Sequence, residues 1–185
     1  MAFIQDGPPY FPNTRFASHL GKTFCKTEAL SYPNHMDFPR DTNPIELLHA
    51  IEDGDPGLKR SHLGNALSFL KSHLPENSWV GLYVDDGFRL ILDAFQGTMA
   101  CERIAYGKGV VGTCFQKGET IHVSDVSTFP GYICCDAAAK SEICIPLKRH
   151  GHIIAILDID RPDIHDFSSE VEFYEEVGAI LTQWL

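Results

Sequence analysis

The chain has no Cys-x-x-Cys spacing and no clustered histidines, so it lacks the usual signatures of a zinc site. The neighbours Cys134 and Cys135 are poorly placed to clamp one tetrahedral ion, and no metal is expected. Positive charge is scarce: 15 Lys and Arg face 25 Asp and Glu, for a net charge of −10. That balance excludes nucleic acid and anionic membrane as main partners. No apolar run approaches the roughly 20 residues of a membrane-spanning helix. The opening residues, MAFIQDGPPYFPNTRF, hold no uninterrupted apolar stretch, so no secretory signal is expected. Asp6 and the prolines also fit a mitochondrial transit peptide poorly. The six cysteines, at 25, 101, 114, 134, 135 and 144, therefore read as reduced thiols of a cytoplasmic protein.

What is there is enough for one domain with a remainder at one end: 185 residues, 44% of them hydrophobic, with 12 Phe. Residues 1–44 carry six of the 11 prolines and seven aromatics, Phe3, Tyr10, Phe11, Phe16, Phe24, Tyr32 and Phe38. Proline interrupts regular structure, and a free tail would be poor in aromatics. The expectation is an irregular arm packed on the body or on a second subunit of a homodimer. Residues 45–185 form the domain, and no internal repeat occurs in it.

Within the domain, Asp41-Thr-Asn-Pro44 starts a helix that runs through Ile45-Glu-Leu-Leu-His-Ala-Ile51. A second helix carries Leu63, Ala66, Leu67, Leu70 and Leu74 on one stripe and stops at Pro75. Trp79 to Val84 reads as a strand, Asp86-Gly87 as its turn and Phe88 to Asp93 as the return. A short helix over 110–117 and a strand over 120–123 follow. A loop spans 124–140. Residues 142–149 and 152–160 then make a hairpin across His150-Gly151, and Asp166-Phe167-Ser168 caps a last helix striped by Val171, Tyr174, Val177, Leu181 and Trp184. The order predicts an α+β layer: one antiparallel sheet of about six strands, with helices mainly on one face.

Three acids lie in strands that read as buried. Glu142 opens Glu142-Ile-Cys-Ile-Pro-Leu147, and Asp158 and Asp160 close Ile153-Ile-Ala-Ile-Leu-Asp-Ile-Asp160. Residues two apart share a strand face, so Ile154, Ile156, Asp158 and Asp160 point one way. Both faces are apolar up to the acids, as in a central strand. Two close carboxylates raise one another's pKa, so one can keep a proton while the other holds an ammonium group. Pairing with Arg161 or Lys140 is the plainer use of these acids. In a regular two-residue hairpin Glu142 would face Ile159, on the wrong side. Glu142 joins the aspartates only if one residue is bulged, and Pro146 is the expected place.

Cys135 and Cys101 lie in loops, Gly131-Tyr-Ile-Cys-Cys-Asp136 and Gly97-Thr-Met-Ala-Cys101. If they meet in space they make an attacking and a resolving thiol. Cys114 and Cys144 lie in apolar runs and read as buried and inert. Trp79 and Tyr83 share a strand face, as pocket walls or as plain core.

These segments resemble the free methionine-(R)-sulfoxide reductase family, a GAF-domain enzyme. The matching pieces include Trp79-Val-Gly-Leu-Tyr83, Ala100-Cys-Glu-Arg-Ile104, Gly107-Lys-Gly-Val-Val-Gly-Thr113, Ile133-Cys-Cys-Asp136, Ser141-Glu-Ile143 and Leu157-Asp-Ile-Asp160. They cover about residues 45–185. The GAF frame is weakly specific, and the thiol loop followed by Ser-Glu-Ile and Leu-Asp-Ile-Asp is strongly so. The resemblance implies that Cys135 and Cys101 form a disulfide during turnover. It also implies that Glu142, Asp158, Asp160, Trp79 and Tyr83 line the substrate site. Three positions depart from the family pattern: Val111 stands where a third cysteine is common, Cys134 replaces an alanine and Tyr132 a histidine.

The implied activity is thiol-dependent reduction of free L-methionine-(R)-sulfoxide, through a cysteine sulfenic acid and an intramolecular disulfide. Glu142 and Asp158 join Cys135 and Cys101 in the chemistry. No cofactor is bound, and an external dithiol such as thioredoxin restores the enzyme. Two other readings use the same fold: a non-catalytic GAF module that binds a small ligand, and a redox sensor that forms the disulfide without turning over substrate.

Overall fold

The turn His150-Gly151 sets the register of the longest hairpin. Both residues have positive φ, 51° and 82°, as a tight two-residue hairpin turn requires. It joins β5 (Ser141–Arg149) to β6 (His152–Arg161). The computed structural model describes residues 44–51 and 56–185, and residues 1–43 of the expected N-terminal arm lie outside them. The other strands are β1 (Trp79–Asp85), β2 (Leu90–Gln96), β3 (Arg103–Ile104) and β4 (Ile121–Val123). All six pair antiparallel in the order β3-β2-β1-β6-β5-β4, which is the expected α+β sheet with β6 in its middle.

Three helices cover one face: α1 (Pro44–Ile51), α2 (Lys59–His73) and α4 (Val171–Thr182). Against them lie Val80 and Leu82 of β1, Ile143, Ile145 and Leu147 of β5, and Ala155, Leu157 and Ile159 of β6. Each large aliphatic in this layer contributes about 1.5–3 kcal/mol by leaving water. At Gly178 an added Cβ would come within 2.8 Å of Leu147 Cδ2, so α4 packs directly on β5. The fourth helix, α3 (Gly109–Lys117), covers the opposite face, where Val110, Val111 and Cys114 pack with Trp79, Tyr83, Leu90, Cys144 and Ile156. No helix among the described residues is long and apolar enough to cross a membrane.

Several boundaries differ from the sequence expectation. Leu74 has left α2 with extended backbone (ψ 160°), because the residue before proline disfavours the helical region. Phe88 is exposed in the turn and not in the return strand. The Asp86 side chain accepts the Phe88 and Arg89 N–H groups, so β2 begins only at Leu90. Asp166 caps a 3-10 turn, Phe167–Ser169, and α4 follows it. The two-residue β3 has too few residues to show a pattern.

Candidate active site

The irregularity needed to bring Glu142 to the aspartates is present, but not at Pro146. Pro146 pairs regularly with Ile156 and Leu147 with Ala155, but Lys148 pairs with Ile153. Ile154 is therefore the extra residue, and the bulge lies on β6 rather than at Pro146. Proline's missing N–H is tolerated without a shift in the ladder. The bulge also corrects the facing of β6, since Ile153 and not Ile154 packs with the acid-bearing face. Beyond it, Cys144 lies across from Asp158 and Glu142 across from Asp160. On the other side of β6, Trp79 pairs with Asp160, Gly81 with Asp158 and Tyr83 with Ile156. Cross-strand partners share a face, so all three acids stand together with Trp79 and Tyr83.

The acids are buried: Glu142, Asp158 and Asp160 are 4%, 5% and 7% exposed. Burial raises all three pKa values, because the charged form loses hydration. Asp158 is pushed up to about 7. Glu142 lies well above the usual carboxylate range, from burial first and then from Asp158 and Asp160 beside it. Asp160 is raised by burial, then by Asp158 and Asp136. Arg161 does not neutralise them, since its guanidinium donates to Asp163 at 3.0 and 3.2 Å. Asp160 Oδ1 is buried without a hydrogen-bond partner.

Cys101 and Cys135 are joined in a disulfide, with Cα atoms 5.2 Å apart. Two loops meet to make it. Thr98 Oγ1 donates to Asp136 Oδ2 at 3.0 Å, tying one loop to the other. Tyr83 Oη donates to the Cys101 carbonyl at 3.0 Å, and Trp79 Nε1 to the Thr98 carbonyl at 3.0 Å. Gly97, at φ +145°, leaves the space that the Trp79 ring fills. The indole stacks on Phe95, with ring centroids 5.6 Å apart. Trp79 and Tyr83 are each 1% exposed. They hold the Cys101 loop from behind.

The disulfide borders the acids. A small cavity beside it is lined by Cys135, Glu142, Asp158, Asp160, Tyr132, Ile133, Ile104 and the first turn of α3 at Gly109, Val110 and Val111. Cys101, Trp79 and Tyr83 are not in that lining. Sequence reasoning did not place Tyr132, Ile133 or the start of α3 at the cavity. Cys144 is buried as expected, and its thiol, whose pKa burial pushes up, also touches the acids: Sγ donates to Glu142 Oε1 at 3.1 Å and to Asp158 Oδ1 at 3.4 Å. Its spacing of two from Glu142 was a sufficient signal, since period-two parity puts both side chains on one face. The exposed Cys134 stays a free thiol, directed at the Asp136 carbonyl at 3.5 Å.

A GAF domain family model matches residues 63–185. The free methionine-R-sulfoxide reductase of Escherichia coli (strain K12) is 40% identical over 110 residues, 60% of this chain and 67% of that protein. The free methionine-R-sulfoxide reductase of Saccharomyces cerevisiae (strain ATCC 204508 / S288c) is 33% identical over 167 residues, 82% of this chain and 93% of that protein. Among solved structures, fRMsr of Staphylococcus aureus in complex with substrate superposes with a TM-score of 0.69 at 34% identity, covering 77% of this chain and 93% of that one.

Proposed function

We propose that this chain, which belongs to the GAF-domain family of free methionine-R-sulfoxide reductases, reduces free L-methionine-(R)-sulfoxide with Cys135 as the attacking thiol. It is an oxidoreductase acting on a sulfur group. The observation that carries the assignment of roles is the cavity itself, which brings Cys135 and all three buried acids to one lining.

A sulfoxide sulfur becomes electrophilic when its oxygen takes a proton, and Glu142, held protonated by burial, is placed to supply it. The Cys135 thiolate attacks sulfur to form a transient S–S bond, and the hydroxyl then passes from the substrate sulfur to Cys135 Sγ as that S–S bond and the original S–O bond break. Methionine leaves two electrons richer, and Cys135 is left oxidised as a sulfenic acid. The Cys101 thiol displaces that oxygen as water, and the Cys101–Cys135 disulfide forms. An external dithiol of the thioredoxin type then reduces it, consistent with a cytoplasmic location. The substrate's ammonium fits Asp160, whose buried oxygen lacks a donor, together with its neighbour Asp158. Its carboxylate suits the N–H groups of the first turn of α3, which have no partners inside the helix. Trp79 and Tyr83 support the loop that carries Cys101.

The test is an NADPH-coupled thioredoxin assay on free methionine-R-sulfoxide. Turnover by the wild type and its loss in Cys135→Ser are expected. No turnover by the wild type, or full turnover by Cys135→Ser, overturns the reading.

A further inference from the structure

Cys144 has no task in the reduction, yet its thiol lies between two of the acids. Sγ is 3.1 Å from Glu142 Oε1 and 3.4 Å from Asp158 Oδ1. One ligand atom from each of the three residues lies within 4.8 Å of the other two, and all three residues are buried. A tetrahedral zinc ion with a Zn–S bond of about 2.3 Å and Zn–O bonds of about 2.0–2.2 Å holds its ligand atoms about 3.5 Å apart. The two separations from Sγ, 3.1 and 3.4 Å, are already close to that spacing, and the third lies within 4.8 Å. A second observation points to the same place. Asp160 Oδ1 is buried without a partner, and Asp160 lines the cavity with Glu142 and Asp158.

We propose that Glu142, Cys144 and Asp158 bind a thiophilic divalent cation, Zn²⁺ or Cd²⁺, with Asp160 completing the set, and that the cation excludes the substrate by taking the place of its ammonium group. The donor set decides the class of ion. Hard cations such as Mg²⁺ and Ca²⁺ seek six or more oxygens, whereas one thiolate with carboxylates suits a borderline or soft ion. Binding exchanges protons on Cys144 and Glu142 for the metal, and no electron moves. A divalent charge also relieves the crowding of buried carboxylates. No zinc signature is visible in the sequence because the ligands come from two different strands at 142, 144 and 158, and only the β5–β6 register brings them together.

The exclusion of substrate rests on the reductase reading; the metal site does not. The oxidised full-length protein, with its Cys101–Cys135 disulfide intact, is titrated with Cd²⁺ alone and followed by the ultraviolet cadmium–thiolate band. One equivalent with a thiolate band is expected, the same in Cys134→Ser, and weakened at least about 100-fold in Cys144→Ser. Serine keeps a hydroxyl for both acids, so this variant is expected to fold, which circular dichroism checks. Cys144→Val is the second variant should Cys144→Ser fail to fold. Absence of the band in wild type, or its persistence in a folded Cys144 variant, overturns the proposal. Binding is measured without substrate or reductant, so a negative result leaves the reductase reading standing. Protein that binds Cd²⁺ but never reduces methionine sulfoxide overturns only the latter. With turnover established, Zn²⁺ is expected to raise the apparent KM without changing kcat, and an unchanged KM at saturating Zn²⁺ overturns the exclusion.

Discussion

Glu142 stands directly across from Asp160 in the β5–β6 ladder only because β6 carries one extra residue, Ile154. Without that residue Glu142 would face Ile159 and point into the α1–α2–α4 layer. The bulge converts one helix-facing position into the third acid of a cavity.

Glu142→Gln removes the group best placed to donate a proton. It is expected to lower kcat by about 10²- to 10⁴-fold, the usual range for losing a general acid. Asp160→Asn removes an ammonium partner and is expected to raise KM with a smaller effect on kcat. Steady-state kinetics on free methionine-R-sulfoxide separate the two, and equal effects on kcat and KM in both variants contradict the division of labour.

N-acetylation removes the positive charge of the substrate. N-acetylmethionine-R-sulfoxide is expected to show no measurable turnover in the same assay, because nothing then offsets the buried carboxylates. Turnover of the acetylated compound at the rate of the free amino acid would mean the acids do not read the ammonium.

Cys101→Ser removes the resolving thiol and leaves Cys135. The first turnover is then expected to stop at the sulfenic acid, which dimedone traps and mass spectrometry places on Cys135. A Cys134–Cys135 disulfide in place of the trapped adduct would show that the neighbouring thiol resolves instead, although adjacent cysteines close with strain.

Folding raises the pKa of Asp158 from an ordinary 3.8 to about 7, so the folded protein binds a proton that the unfolded chain releases. Stability contributed by this group is full below about pH 4 and is lost as pH rises through about 7. Unfolding by urea across that window is expected to show Asp158→Asn with a flatter pH dependence than wild type. Parallel curves for the two proteins would mean burial does not raise the Asp158 pKa.

Gly97 sits at φ +145°, and a Cβ there would fall on Cδ1 of Trp79. Gly97→Ala is expected to cost about 1–3 kcal/mol, since backbone strain and ring displacement act together. The thermal midpoint should fall. The rate of Cys101–Cys135 disulfide formation should fall too, because Trp79 anchors the Thr98 carbonyl in the loop that carries Cys101.

Much of the architecture follows from local pattern. The α2 stripe, the His150-Gly151 turn and the run ending in Asp158 and Asp160 each carry their own periodicity or turn chemistry, so the helices, the hairpin and the central strand are legible one segment at a time. The shared face of Asp158 and Asp160 is legible for the same reason. The ends of β2 and α2 are less so, because a side-chain cap at Asp86 and the proline after Leu74 compete with the pattern at single positions.

The residues by themselves determined which groups are available: three acids in apolar strands, two loop thiols and a tryptophan–tyrosine pair on one strand face. Tertiary structure alone decided which of them meet. The bulge at Ile154 chose the face of Glu142, and the Thr98–Asp136 hydrogen bond ties the loop of Cys101 to that of Cys135. The β5–β6 register also drew Cys144 between two acids. Parity along one strand is a local property of the backbone. The pairing of two strands, and the docking of two loops, depend on contacts between residues far apart in the chain.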